Sequence, residues 1–123
     1  MSAETITRET LEADLAQFCG SETVYKHWLG LIYTDGVKYL AEKAGAYWLI
    51  DLVASHQRGK LRQEPFQVWT LTVNLKKQTA RAECRADSDT PILKAQNIEY
   101  TDFPLPSIKL WLVDGVLMLP SEY

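Results

Sequence analysis

The sequence predicts an α+β fold, with N-terminal helices packed on one face of a C-terminal antiparallel meander sheet of four to five strands. Apolar residues recur at helical spacing in the first half of the chain and alternate with period two in the second half. Helices followed by hairpin-linked strands are typical of helices segregated on one side of a sheet. A chain of 123 residues has apolar material for one core, so residues 1–123 are expected to form a single domain.

Three helices are expected in the first half. They cover about residues 7–18, a segment that begins at a cap on Thr34 or Asp35 and ends at Gly45, and about residues 47–56. The third helix is apolar on nearly every side, which predicts that it lies at the buried centre of the helical layer. Residues 24–33 fit either a short strand or an irregular packed segment.

The strands are expected after a polar, basic loop at residues 57–65. Alternation places Trp69, Leu71, Val73 and Leu75 on one face of the first strand, and Ala80, Ala82 and Cys84 on the same face of the second. Asp114-Gly115 predicts a tight hairpin turn. The expected strands cover residues 66–75, 79–85, 92–100, 108–112 and 116–119.

Charge is distributed unevenly along the chain. The net charge is −3, yet residues 56–85 hold seven basic and two acidic residues, a net charge of +5. The negative net charge argues against non-specific binding along nucleic acid, whereas the basic segment leaves nucleic acid open as a partner. There is no apolar run of membrane-spanning length and no signal peptide, so we expect a cytoplasmic protein without a membrane partner. Cys19 and Cys84 are expected to be reduced and buried.

The best candidate for a binding surface is the sheet face opposite the helices. Because successive side chains of a strand point to opposite faces, the expected side for four residues is that face: Trp111, Arg81, Arg85 and Lys109. Trp and Arg are the residues that dominate interface energetics. An aromatic and cationic face can bind a protein partner, pair with a second copy, or stack a base beside a phosphate. It can also be covered by a terminal segment that folds back.

Catalytic chemistry has weaker support. Asp51 is the only charge in the apolar third helix, so it is either an acid or base with a raised pKa or, as we favour, a structural hydrogen-bonding group. His27 and His56 are the only histidines, and no catalytic or metal-ligand spacing accompanies them. No cofactor, metal or catalytic residue is therefore expected.

Three strings, TDGVKYLAEKAGAYWL at residues 34–49, YTDFPL at residues 100–105 and the terminal LPSEY, resemble an uncharacterised bacterial family of unknown function. The resemblance covers about residues 25–123 and implies a bacterial or mobile-element origin. It implies no activity, cofactor or site residue.

The sequence therefore favours a non-catalytic interaction protein that binds another macromolecule or pairs with a second copy as a homodimer, over two alternatives. One is a nucleic-acid-binding accessory protein that uses the basic segment and Trp111. The other is a small hydrolase centred on Asp51 and a nearby histidine, which would require a concave pocket beside that helix.

Overall fold

The computed structural model of the protein describes residues 8–17, 23–87 and 89–123. Its elements are, in chain order, α1 (Arg8–Leu15), β1 (Val24–Lys26), β2 (Ile32–Thr34), α2 (Asp35–Ala44), α3 (Tyr47–Ser55), α4 (Gly59–Arg62), β3 (Phe66–Asn74), β4 (Thr79–Arg85), β5 (Ile92–Ile98), β6 (Ser107–Val113), β7 (Val116–Met118) and a closing 3₁₀ turn (Pro120–Glu122).

The predicted ends of the second helix are confirmed. Thr34 is its N-cap, and the Thr34 hydroxyl accepts a hydrogen bond from the Val37 amide. Gly45 closes α2 in the left-handed conformation, at φ 62°. The helix α3 is buried along most of its length, as its apolar sequence predicted.

Two other helical predictions need correction. The first helix ends at Leu15 rather than near residue 18, and Phe18 lies outside the described residues. Part of the expected loop at residues 57–65 forms α4, a single turn that packs Leu61 against the core.

The sheet is larger than predicted and is not a simple meander. It has seven strands in the described part of the chain, in the order β1-β2-β7-β6-β3-β4-β5. The two additional strands come from residues 24–34, the segment for which the sequence left strand and irregular structure open. The strand β2 pairs with β7 in parallel, whereas every other pair is antiparallel.

The connection between β5 and β6 breaks the meander. The strand β5 lies at one edge of the sheet, yet β6 pairs with β3, two strands away. Residues 99–106 make this crossing, and Phe103 and Leu105 are buried along it. Their apolar side chains hold the connection against the core, although the prolines at 104 and 106 prevent regular pairing there.

Strand register follows the predicted alternation. Trp69 faces Cys84, Leu71 faces Ala82 and Val73 faces Ala80 across the β3–β4 pair, and all of these side chains are buried. Leu75 does not follow this pattern, because β3 ends at Asn74 and Leu75 is exposed in the turn. The strand β5 likewise ends at Ile98 rather than at residue 100.

One core lies between the helices and the sheet. It combines Leu11 of α1, Val37 and Leu40 of α2, and Ile50 and Val53 of α3 with the inward rows of the central strands. In the described part of the chain, the helices pack on this side of the sheet, as predicted. The opposite side, which we call the outer face, carries Thr70, Thr72, Arg81, Glu83, Arg85, Lys109 and Trp111.

Candidate functional site

The four predicted binding residues lie on the outer face. Trp111 and Arg85 flank Val68 from either side, since Val68 pairs with both across neighbouring strands. Thr70 pairs with Lys109 on one side and with Glu83 on the other, and Thr72 pairs with Arg81. Strand alternation and register thus bring together residues that are up to 43 positions apart in sequence.

The outer face has an aromatic end. The Trp111 ring lies 5.3 Å from that of Phe66 and 5.4 Å from that of Tyr123, and the Phe66 and Tyr123 rings are 6.1 Å apart. These tilted and edge-on contacts are favourable ring geometries. The tail folds back far enough for Tyr123 to cover part of Trp111, while Tyr123 itself remains 72% exposed.

The other end of the outer face is charged. Arg81 Nε donates to one oxygen of Glu83 at 2.8 Å, and Arg85 Nη1 donates to the other at 3.2 Å. The hydrogen bond from Arg81, with help from Arg85, lowers the pKa of the Glu83 carboxyl. Arg81 also donates to Asn97 Oδ1 at 2.9 Å. Lys109 is exposed and has no ion pair within the described part of the chain.

The Asp51 side chain is hydrogen-bonded to His27. Asp51 Oδ1 lies 2.6 Å from His27 Nε2, and the Asp51 side chain is 61% exposed. The Leu29 amide donates to His27 Nδ1 at 3.1 Å. Because Nδ1 accepts a hydrogen bond, Nε2 carries the proton and donates a hydrogen bond to Asp51. Both ring nitrogens of His27 are engaged, which leaves none free to act as a general base.

This pair anchors the turn between β1 and β2. The His27 amide donates to Leu31 O at 2.7 Å, and the Gly30 amide donates to His27 O at 2.8 Å. The turn presents Trp28, whose ring stacks on the His27 ring at 5.6 Å and is 82% exposed. His27 itself is buried, and sequence reasoning did not single out the exposed Trp28.

A buried carboxylate from the tail caps α2. Glu122 Oε1 accepts from the Thr34 hydroxyl at 2.6 Å and the Leu119 amide at 2.9 Å, while Oε2 accepts from the Gly36 amide at 3.1 Å. A Cβ on Gly36 would lie 2.6 Å from Glu122 Oε1, so glycine at this position lets the carboxylate approach the backbone without moving. The TDG and LPSEY strings are thus two halves of one structural clasp.

A buried glutamine completes the polar interior. Gln67 is fully buried and exchanges two 2.9 Å hydrogen bonds with the Gln57 side chain. Its oxygen also accepts from Trp69 Nε1 at 2.9 Å, and its amide donates to Leu61 O at 2.8 Å. Sequence reasoning missed Gln67, although its parity with Trp69 and Leu71 placed a polar side chain on the inward face.

The remaining titratable and metal-binding possibilities are limited. Burial raises the pKa of the Cys84 thiol to about 12. Cys84 is reduced and buried as expected, while Cys19 lies outside the described residues. Within residues 8–17, 23–87 and 89–123, no three His, Cys, Asp or Glu side chains are grouped to hold a metal ion. None of the described helices has the length and apolar character to cross a membrane.

Comparison with known proteins gives a family and no function. No curated protein and no solved structure matches the chain. The profile of DUF6876, a family of unknown function, matches residues 9–123. This confirms the resemblance to an uncharacterised family and extends it into α1. The chain therefore belongs to DUF6876, a family of unknown function.

Proposed function

We propose that the protein is a non-catalytic interaction protein that binds a protein partner, or a second copy of itself, through the outer face. The observation that carries this proposal is the aromatic cluster of Phe66, Trp111 and Tyr123 on the same sheet face as Arg81 and Arg85. Tryptophan, tyrosine and arginine supply most of the binding energy at protein interfaces.

The charged end favours a protein over nucleic acid. Arg81 and Arg85 share Glu83, so a phosphate would have to compete with a carboxylate that both guanidinium groups already contact. A protein partner can use this arrangement as it stands, because polar groups with satisfied hydrogen bonds are typical of an interface rim. Nucleic-acid binding through the basic segment is the alternative that the test must separate.

The hydrolase alternative lacks support from the geometry around Asp51. A hydrolase needs a base with a free nitrogen or oxygen near its substrate. His27 donates through one nitrogen and accepts through the other, and the Asp51 side chain is largely exposed. This arrangement is suited to anchoring the turn that presents Trp28.

Size-exclusion chromatography with light scattering, at low and high salt, tests the proposal. Lys109→Glu reverses a charge on the outer face, and Lys77→Glu makes the same change in the exposed β3–β4 turn. A dimer that persists in high salt, dissociates in Lys109→Glu and survives in Lys77→Glu would support self-association through the outer face. A protein that carries nucleic acid, detected by its 260/280 absorbance ratio and stripped by salt, would overturn the proposal in favour of the alternative.

A further inference from the structure

A cleft lies on the helix side of the molecule, away from the outer face. It has a volume of about 550 Å³, within the range of pockets that bind small molecules. Its walls come from the β1–β2 turn, the end of α3, the α4 segment and the β6–β7 turn. Three stretches of chain that are distant in sequence, residues 29–31, 54–67 and 112–115, therefore meet around one concave space.

Part of the cleft lining is apolar. Leu31, Ala54 and Leu112 line it, and all three are buried. The fully buried Gln67 also lines the cleft, but its hydrogen bonds to Gln57 and Leu61 occupy its polar atoms. An aliphatic group would fit this surface without stranding an unpaired polar atom of the protein.

Two arginines supply positive charge at the cleft. Arg58 and Arg62 are four residues apart around the short α4 turn, and both line the cleft. Arg58 Nε donates to Ser55 O at 3.1 Å. Neither guanidinium has a carboxylate within 4.0 Å in the described part of the chain, unlike Arg81 and Arg85 on the outer face. Both keep donors for a ligand carboxylate.

Two carboxylates supply negative charge at the same cleft. Glu64 and Asp114 both line the cleft. The Asp114 amide donates to Pro65 O at 2.8 Å, and this hydrogen bond holds the β6–β7 turn next to Glu64. Neither carboxylate has an ion pair within the described residues. A purely anionic ligand would meet repulsion from them, whereas a ligand ammonium would be attracted.

We propose that this cleft binds an amphoteric ligand, an apolar amino acid or dipeptide, with its carboxylate at Arg58 and Arg62 and its ammonium at Glu64 and Asp114. The aliphatic side chains lie against Leu31, Ala54 and Leu112. Ligand binding at this cleft is independent of partner binding at the outer face, so the two are tested separately.

Three matched probes test the proposal by NMR amide shifts of the full chain. Leucyl-leucine carries both charges, N-acetyl-leucyl-leucine only the carboxylate, and leucyl-leucine amide only the ammonium. Leucyl-leucine is expected to shift amides around the cleft, such as those of Gly30 and Gly115, and to bind more tightly than either singly charged probe. No saturable shifts around the cleft, or N-acetyl-leucyl-leucine binding as tightly, would overturn the proposal.

Variants assign the charges. Arg62→Ala is expected to weaken leucyl-leucine binding about tenfold, through the loss of a charge-assisted hydrogen bond. Asp114→Asn removes a carboxylate while keeping a residue suited to the positive φ of 48° at that position, and is expected to weaken binding likewise. Lys60→Ala, on the same helical turn but outside the cleft lining, should leave affinity unchanged. Unchanged amide shifts in the outer-face strands confirm that each variant is folded. Equal affinity in all three variants would contradict the assignment.

Discussion

Replacing Glu122 with alanine tests how the tail holds the fold together. The carboxylate accepts hydrogen bonds from the Thr34 hydroxyl, the Gly36 amide and the Leu119 amide, and Glu122 is buried. The variant leaves three donors without this acceptor. Each unsatisfied buried group costs about 1–3 kcal/mol, and water entering the vacated space recovers part of that. The lost charge at the N-terminus of α2 adds roughly 0.3–1 kcal/mol.

We therefore expect Glu122→Ala to lower the free energy of unfolding by about 2–4 kcal/mol. For a chain of this size the corresponding drop in melting temperature is about 10 °C. Urea unfolding followed by circular dichroism measures the first quantity, and a thermal melt measures the second. Glu99→Ala is the control, because Glu99 is exposed in the β5–β6 connection. Equal stability of Glu122→Ala and Glu99→Ala would refute the reasoning.

A double-mutant cycle with Gly36→Ala sharpens this test. The added Cβ would lie 2.6 Å from Glu122 Oε1 and 2.7 Å from Leu119 Cδ1. Gly36→Ala is expected to destabilise the native sequence strongly and the Glu122→Ala background less, since the closer of these two contacts is then gone. Strictly additive effects would contradict direct contact between the two ends of the clasp.

Three further predictions concern other parts of the molecule. Gln67→Leu should cost about 2–4 kcal/mol in urea unfolding, because Trp69 Nε1 and the Gln57 side chain lose a buried partner. Trp111→Ala should lower the free energy of unfolding by about 1–3 kcal/mol, because Trp111 packs on Phe66. Trp28→Ala should change it by less than about 0.5 kcal/mol, because Trp28 is exposed, and urea unfolding of both variants compares the two values. Cys84, with its pKa raised from 9.0 to about 12, should resist alkylation in the folded state, and its contribution to stability should be complete below pH 9 and fall as pH rises from 9 to 12. Rapid labelling of the native Cys84 thiol at pH 8, or stability that rises over that alkaline window, would contradict the last prediction.

Local signals in the sequence were sufficient for much of the fold. Alternation predicted β4 to the residue, and the Asp114-Gly115 dipeptide predicted a turn in which both residues adopt positive φ. Capping chemistry predicted both ends of α2. These features depend on a few neighbouring residues, so a single sequence contains the information.

Sheet order and strand number depend on distant contacts. The strands β1 and β2 are three residues each, too short to give a periodic pattern, and β2 is completed by parallel pairing with β7. Nothing near residue 98, where β5 ends, indicates that the chain will cross two strands before β6. The pairing of β6 with β3 is therefore set by the packing of the whole domain.

The candidate site shows the same division. Parity placed Trp111, Arg81, Arg85 and Lys109 on one face, and the register confirms that placement. Parity could not show that Glu83 contacts both arginines or that Tyr123 packs on Trp111, because side-chain partners depend on three-dimensional distances. Strand alternation could have identified the buried Gln67, because a polar residue in an inward-facing apolar row predicts a buried hydrogen-bonding network.

The most direct test of the outer face as the binding surface is parallel affinity capture from an extract of the source cells. Wild-type protein, Lys109→Glu and Lys77→Glu are immobilised at equal density, and each retained protein is quantified by mass spectrometry. We predict at least one protein that wild type and Lys77→Glu retain and Lys109→Glu loses. If every retained protein is captured equally by all three, the outer face is not the binding surface.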